Sequence, residues 1–310
     1  MSNPGYTVDV VRRGERPRPY EPPPIPADPL AALSDAQRAA LPNLIVIGAG
    51  KCGTSALHRY LSLHPDVGMS ERKEMSLFGG ARWIERLPLY ADAFDASRPV
   101  RGESSPSYSM DPYVPSVPEQ IAAVLPHPKF IYLVADPLTR VVAHWAEQRY
   151  LRLDRRALGE ALADADNPLN PYVAASRYGH QLQRYVDEFG SDAVLVLDQS
   201  DLRSERRSTL RTVFEFVGVD PEFWTSEFEA EVNTADTKLQ TNALGGWIED
   251  RLGNQSSRRV TWSRIPHVTA RRRNRPSLND EIRARLTAVL APDIALFRRL
   301  TGRPFAGWEI

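Results

Sequence analysis

The stretch Gly48-Ala-Gly-Lys-Cys-Gly-Thr-Ser55 gathers three glycines, one lysine and two hydroxyl residues into eight positions. Glycine permits tight turns and close backbone approach. The N–H groups of such a turn, and of a helix that follows it, point at a bound anion. Lysine adds a compact positive charge. These residue types at this spacing suit a phosphate-bearing ligand. Lysine is also scarce: of 39 basic residues only Lys51, Lys73, Lys129 and Lys238 are lysine.

Two general phosphate-binding patterns bear on the segment. A nucleoside-triphosphate loop, GxxxxGK[ST], matches the separation of Gly48 and Gly53, but Thr54 stands where lysine belongs and Lys51 lies two residues before the second glycine. A dinucleotide fingerprint, GxGxxG, is met literally by Gly48, Gly50 and Gly53, with Glu71 about 20 residues on. Against it, Lys51 sits inside the turn and Thr54-Ser55 place hydroxyls on the first helical turn. A cation with hydroxyls suits a terminal, doubly charged phosphate better than a pyrophosphate crossing bare glycine.

The surrounding stretch LPNLIVIGAGKCGTSALHRYLSLHPDV resembles the 5′-phosphosulfate loop of sulfotransferases that use PAPS (3′-phosphoadenosine 5′-phosphosulfate), where a lysine two residues before Gly-Thr is the signature. Three further segments resemble that family in order: Glu71-Arg-Lys-Glu-Met-Ser-Leu-Phe78, Arg101-Gly-Glu-Ser-Ser-Pro-Ser-Tyr108, and Phe130-Ile-Tyr-Leu-Val-Ala-Asp-Pro-Leu-Thr-Arg140. The C-terminal part, with Pro292-Asp-Ile294, Gly302-Arg303 and Trp308, resembles the family's closing helices. The likeness spans about residues 42–308 and is to the carbohydrate-type subgroup, which includes heparan sulfotransferases and bacterial relatives.

The resemblance implies a P-loop-like α/β fold, a parallel sheet flanked by helices. It implies transfer of a sulfuryl group from PAPS to a hydroxyl or amine of a small molecule or glycan, releasing PAP, the 3′,5′-bisphosphate. Gly50, Lys51, Cys52, Gly53, Thr54 and Ser55 would bind the donor, with Lys51 at the leaving group. Glu74 would be the general base, and Lys73 would steer the acceptor or hold the Glu74 charge. Arg140 would help bind the 3′-phosphate, and Arg271, Arg272 and Arg273 would close over the nucleotide from a basic loop.

No metal is required for this chemistry. The sequence departs from the family at Ala135 and Ala143, where an arginine and a serine usually contact the 3′-phosphate; Arg140, His144 or the basic loop would have to substitute. Cys52 reads as a space-filler or a reactive thiol, Glu103 as a tie for Ser105 or Tyr108 or a catalytic group, and Tyr178 as core or an adenine-stacking ring. A non-catalytic nucleotide-binding relative and a dinucleotide-dependent oxidoreductase remain as alternatives.

Positioning these groups requires strands that end in turns. Leu44-Ile-Val-Ile47 is a continuous apolar run, as in a strand buried on both faces, and Thr54–Leu61 reads as a helix with Leu57, Tyr60 and Leu61 on one side. A second strand, 129–134, runs into Asp136-Pro137 and a helix over about 138–151. A third, 193–197, precedes a helix bearing Leu210, Val213, Phe214 and Val217 at i, i+3, i+4, i+7. Strands alternating with helices imply a parallel α/β sheet. A last helical stretch follows Ser277, with Ile282, Leu286, Val289, Leu290, Ile294 and Phe297.

Residues 1 to about 40 hold seven prolines between Pro17 and Pro29 and read as an extended, poorly ordered arm. Residues 41–310 read as one domain, with a basic loop at about 253–275. The 310-residue chain has 39 basic and 39 acidic residues, which excludes a globally basic nucleic-acid binder. One cysteine excludes an intrachain disulfide and a multi-cysteine metal site, and the six histidines form no ligand pair. No run reaches the roughly 18 apolar residues that span a bilayer. The N-terminus lacks a secretory pattern, so a cytoplasmic location is expected.

Overall fold

The computed structural model describes residues 22–230, 239–241, 270–272 and 276–310, the strand residues 239–241 and 270–272 by their backbone alone. Residues up to Glu229 together with Ser277–Ile310 form one unit, and Ala230–Pro276 forms a second.

In the first unit the order is α1 (Asp35–Ala40), β1 (Leu44–Gly48), α2 (Thr54–Leu63), β2 (Val67–Met69), α3 (Trp83–Ala91), β3 (Val100–Ser104), α4 (Val117–Ala122), β4 (Lys129–Val134) and α5 (Pro137–Tyr150). Then come the single turns α6 (Leu158–Ala161) and α7 (Pro171–Ala174), followed by α8 (Tyr178–Phe189), β5 (Val194–Asp198), α9 (Gln199–Ser204) and α10 (Arg206–Val217). The second unit contributes β6 (Leu239–Thr241) and β7 (Ala270–Arg272), an antiparallel pair with Gln240 opposite Arg271. The chain closes with α11 (Asp280–Thr301). Apart from 270–272, the expected basic loop at 253–275 lies outside the described residues.

The main sheet has the order β2-β3-β1-β4-β5 and every pairing is parallel. This is the expected α/β architecture. β1 and β4 are buried along nearly their whole length because helices cover both faces, which is why they read as apolar runs. The weakly apolar β2 is an edge strand, where one side needs no cover. β3 was not legible as a strand: its sequence, Val-Arg-Gly-Glu-Ser, has one apolar side chain, yet Glu103 and Ser104 are fully buried beside β1. With β3 on one side of β1 and β4 on the other, the carboxyl end of β1 is the crevice where open parallel sheets take ligands.

Helix starts follow local chemistry. Asp136 caps α5 by accepting from the Thr139 amide at 2.7 Å, with Pro137 in the first turn; Asn279 caps α11 through the Ile282 amide at 2.8 Å. The expected helix at 210–217 is α10, with those four side chains buried, and it stops at the left-handed Gly218. The arm expected up to residue 40 gives way earlier. Leu33 is buried, Ser34 and Gln37 form a reciprocal capping box on α1, and Gln37 reaches Asp92 at 2.9 Å. Residues 1–21 lie outside the described residues. Among the described residues no helix is long and apolar enough to cross a membrane.

α11 seats against α8 at Gly179. A Cβ there would lie 2.3 Å from the Asp293 carbonyl and 3.0 Å from the Phe297 amide, both backbone atoms that cannot rotate away. Asp293 also accepts from the Gly179 and His180 amides at 2.8 and 2.9 Å, fixing the contact. Gly179→Ala should force the helices apart and lower stability by about 1–3 kcal/mol, the usual cost of overpacking. Urea unfolding would read this as a lower midpoint with an unchanged slope.

Candidate active site

Between β1 and α2 the chain turns through two left-handed residues, Lys51 (φ 74°) and Gly53 (φ 97°). Glycine takes this conformation freely; a side chain at 53 would be strained and would sit 3.1 Å from Gln199 Nε2. Gly53 is also the N-cap of α2, and no side chain caps the first turn. The orphan amides and positive dipole end of a ten-residue helix therefore open at the carboxyl edge of the sheet. Thr54 is buried at this turn and Ser55 is half-buried. The Lys51 ammonium lies 2.7 Å from Glu147 Oε2 on α5.

Cys52 corrects the expectation that all six loop positions face a donor. Its side chain is fully buried, with Sγ 3.7 Å from the Tyr178 hydroxyl and 3.8 Å from the Gly50 carbonyl, and its amide bonds to the Ala49 carbonyl at 3.2 Å. Burial pushes the thiol up to about 11, so the thiolate is scarce at neutral pH and the space-filling reading holds. Tyr178 is core as well, its hydroxyl donating to the Ala135 carbonyl at 3.0 Å.

One face of α5 braces this loop. Arg140, His144 and Glu147 recur at i, i+4 and i+7. Arg140 is 2% exposed; its Nε donates to the Gly50 carbonyl at 3.1 Å, and its Nη1 to the Tyr172 carbonyl and Ser176 Oγ at 3.1 and 2.8 Å. Nη2 lies 3.2 Å from His144 Nδ1. The expected 3′-phosphate ligand is thus a buried strut that sets the carbonyl side of the loop. His144 is buried as well, and burial with the Arg140 and Lys51 charges holds its pKa well below the usual histidine range. Ala135 and Ala143 are buried too.

Lys73 and Glu74 follow β2 and pair at 2.6 Å, Glu74 with its carboxylate largely exposed. Glu74 is left-handed (φ 62°), and its amide donates to the Ser104 carbonyl at 2.9 Å. His58, one turn beyond Thr54 on α2, joins this segment to the loop: Nδ1 is 2.9 Å from Ser104 Oγ, and the Lys73 charge acts on the ring. Glu103 receives Ser105 Oγ at 2.6 Å and Tyr108 Oη at 2.8 Å, the tie that the sequence suggested.

The structure therefore brings Gly50, Lys51, Gly53, Thr54, Ser55, Lys73 and Glu74 to the carboxyl edge around β1. Arg271 and Arg272 lie on β7, and their side chains, like all of Arg273, fall outside the described residues. Sequence reasoning missed Glu147 and His58. The i, i+4, i+7 spacing from Arg140 marked Glu147, and the i+4 step from Thr54 marked His58, but neither spacing says what the face opposes. Among the described residues no cluster of acidic, histidine or cysteine side chains could hold a metal.

Comparison with known proteins bears on this geometry. The family model described as the sulfotransferase domain matches residues 41–245, which include the glycine loop, Lys73, Glu74, Arg140 and Glu147 but not Arg271, Arg272 and Arg273. Bifunctional heparan sulfate N-deacetylase/N-sulfotransferase 1 of Caenorhabditis elegans is 26% identical over 213 residues, 64% of this chain and 24% of that protein. Bifunctional heparan sulfate N-deacetylase/N-sulfotransferase 2 of Homo sapiens is 28% identical over 201 residues, 58% and 22% respectively. This chain spans about a quarter of the length of these relatives. The crystal structure of a sulfotransferase from Alicyclobacillus acidocaldarius is similar in fold, with TM-score 0.61 at 22% identity over 87% of this chain and 100% of that one. These matches do not favour the dinucleotide reading of the glycine loop.

Two imidazoles at the site make stability depend on pH. Burial and Lys73 lower the His58 pKa from 6.5 to about 4, and His144 is lowered as well. The unfolded chain binds protons on these groups below pH 6.5 while the folded chain does not, so their contribution is complete above 6.5 and is lost as pH falls toward 4. The urea midpoint should drop across that window. His58→Gln, which cannot take up the proton, should flatten the drop; an equally steep profile in the variant would exclude His58 as a source.

Proposed function

Because the chain belongs to the sulfotransferase domain family, we propose that it transfers the sulfuryl group of PAPS to a hydroxyl or amine of a small-molecule or glycan acceptor. The observation that carries this reading is the uncapped N-terminus of α2, with Lys51 in the turn two residues before its Gly53 cap. Backbone amides and one lysine suit a terminal phosphosulfate. The relatives named as heparan sulfate N-sulfotransferases support a glycan amine as one acceptor.

PAPS supplies an activated sulfuryl group on a phosphate leaving group. The acceptor oxygen or nitrogen forms a bond to sulfur as the sulfur–oxygen bond to phosphate breaks, and the bonding pair departs with the phosphate. Glu74 takes the acceptor proton; its exposed carboxylate meets a substrate arriving from solvent. Lys51 stabilises the charge that grows on the phosphate, and the amides of the first α2 turn, with Thr54 and Ser55, hold its oxygens. Glu147 pairs with Lys51, so the leaving group takes over an ammonium already oriented by a carboxylate. Lys73 pairs with the Glu74 carboxylate at 2.6 Å and orients it.

The 3′-phosphate end is the weaker fit. Ala135 and Ala143 bring no donors, and Arg140 is engaged with the loop backbone. That observation favours a second reading, a relative that binds nucleotide without turnover. Purified protein incubated with labelled PAPS and amine- or hydroxyl-bearing glycans distinguishes them: sulfated product is expected, whereas PAP binding with no product for any acceptor supports the second reading.

The roles separate by kinetics. Lys51→Ala should lower kcat/KM by about 10²–10³-fold, the scale of one lost charge-stabilising donor. Glu74→Gln should lower kcat by roughly 10²-fold or more while leaving PAP affinity unchanged. Wild-type turnover in Glu74→Gln would remove Glu74 from the role of base.

A further inference from the structure

Glu103 is a carboxylate with no exposed surface, on the strand next to β1. The groups that bond to it are neutral donors: Tyr90 Oη at 3.0 Å, Tyr108 Oη at 2.8 Å, Ser105 Oγ at 2.6 Å and the Met75 amide. Burying a carboxylate is costly even when it is fully hydrogen-bonded. Burial raises its pKa, and the four donors pull it back. The proposed chemistry does not use Glu103, so the fold retains an expensive group for some other purpose.

That purpose is visible in the segment that carries Glu74. Six consecutive amides are each held by a partner from later in the chain. Glu74 N–H donates to the Ser104 carbonyl at 2.9 Å and Met75 N–H to Glu103. Ser76 N–H donates to Ser105 Oγ at 3.0 Å, and Leu77 and Phe78 N–H donate to Tyr108 Oη at 2.9 and 3.3 Å. Gly79 N–H donates to Gln120 Oε1 at 2.7 Å. The first five of these amides are held by residues 103–108. Within the run Glu74 and Ser76 are left-handed, at φ 62° and 46°. Each such non-glycine residue is strained and persists only where its surroundings over-determine it.

The polarity of the network explains why the central group is a carboxylate. Ser105 and Tyr108 each have one hydroxyl hydrogen. When that hydrogen points at Glu103, their lone pairs are free to accept the amides of residues 76–78. A carboxylate only accepts, so it draws both hydroxyl hydrogens inward. An amide side chain would present a donor to one of them and turn its hydrogen toward backbone N–H groups that also donate.

We propose that Glu103 is a positioning residue for sulfuryl transfer: through Ser105, Tyr108 and the Met75 amide it holds Glu74 in the left-handed conformation that presents its carboxylate to the acceptor. This rests on the reading of Glu74 as the base. The effect passes through the backbone of residues 74–78, and no contact between Glu103 and either substrate is involved.

The test is a double-mutant cycle on the full chain with labelled PAPS and whichever acceptor the wild type sulfates. Glu103→Gln should lower kcat at least 10-fold with PAP affinity, measured by calorimetry, within about twofold of wild type. Combined with Glu74→Gln it should add little, because the base it positions is already gone. Tyr108→Phe, which removes the acceptor for the Leu77 and Phe78 amides, should behave the same way and carries the test if Glu103→Gln does not fold. Native-like melting with wild-type kcat in either folded variant would overturn the proposal, as would losses that multiply fully with Glu74→Gln. Full turnover in Glu74→Gln alone would instead overturn the base assignment and the positioning role with it.

Discussion

An uncapped helix N-terminus at the end of a buried strand is the constraint around which this structure is organised. The turn after β1 must bring Lys51 and Gly53 into left-handed conformations so that the first amides of α2 face outward. Such a turn is not self-supporting. Arg140 supports it from α5 by donating to the Gly50 carbonyl, and its other bonds, to the Tyr172 carbonyl and Ser176 Oγ, tie that strut to α7 and the residues after it. A guanidinium suits the task because its planar fork reaches several acceptors from one buried position.

The second half of the site obeys a different rule. Where the β1 turn is held by a buried cation, the Glu74 segment is held by a buried anion, with hydroxyls relaying its demand for hydrogen bonds to backbone amides. His58 and Ser104 stand between the halves, so α2, β3 and the Glu74 segment are fixed relative to one another. Lys51 and Glu74 lie on separate loops, after β1 and after β2, and the proposed in-line transfer would require them at a set separation. Rigid supports on both sides meet that need better than mobile loops do.

Legibility in the sequence followed burial and periodicity. β1 and β4 were readable because strands covered on both faces are apolar throughout, and α10 because its four core positions fall on one side. β3 was not, because it buries a glutamate and a serine whose hydrogen-bond partners lie on other elements. Arg140 enters as a phosphate ligand only through the family resemblance, and an arginine at that place in the stretch is equally compatible with facing out or in. Only the packing of α5 against the loop and Ser176 turns it inward.

The residues themselves determined the family, the parallel α/β architecture, and the glycine–lysine–hydroxyl turn after β1, since each is a local pattern of residue types along a contiguous stretch. Tertiary structure alone decided which polar groups became supports and which became working groups. Arg140, Cys52 and Glu103 are buried, and Glu74 faces solvent, because burial and hydrogen-bond partnership depend on what neighbouring elements bring, and no spacing along one segment encodes the far side of that contact.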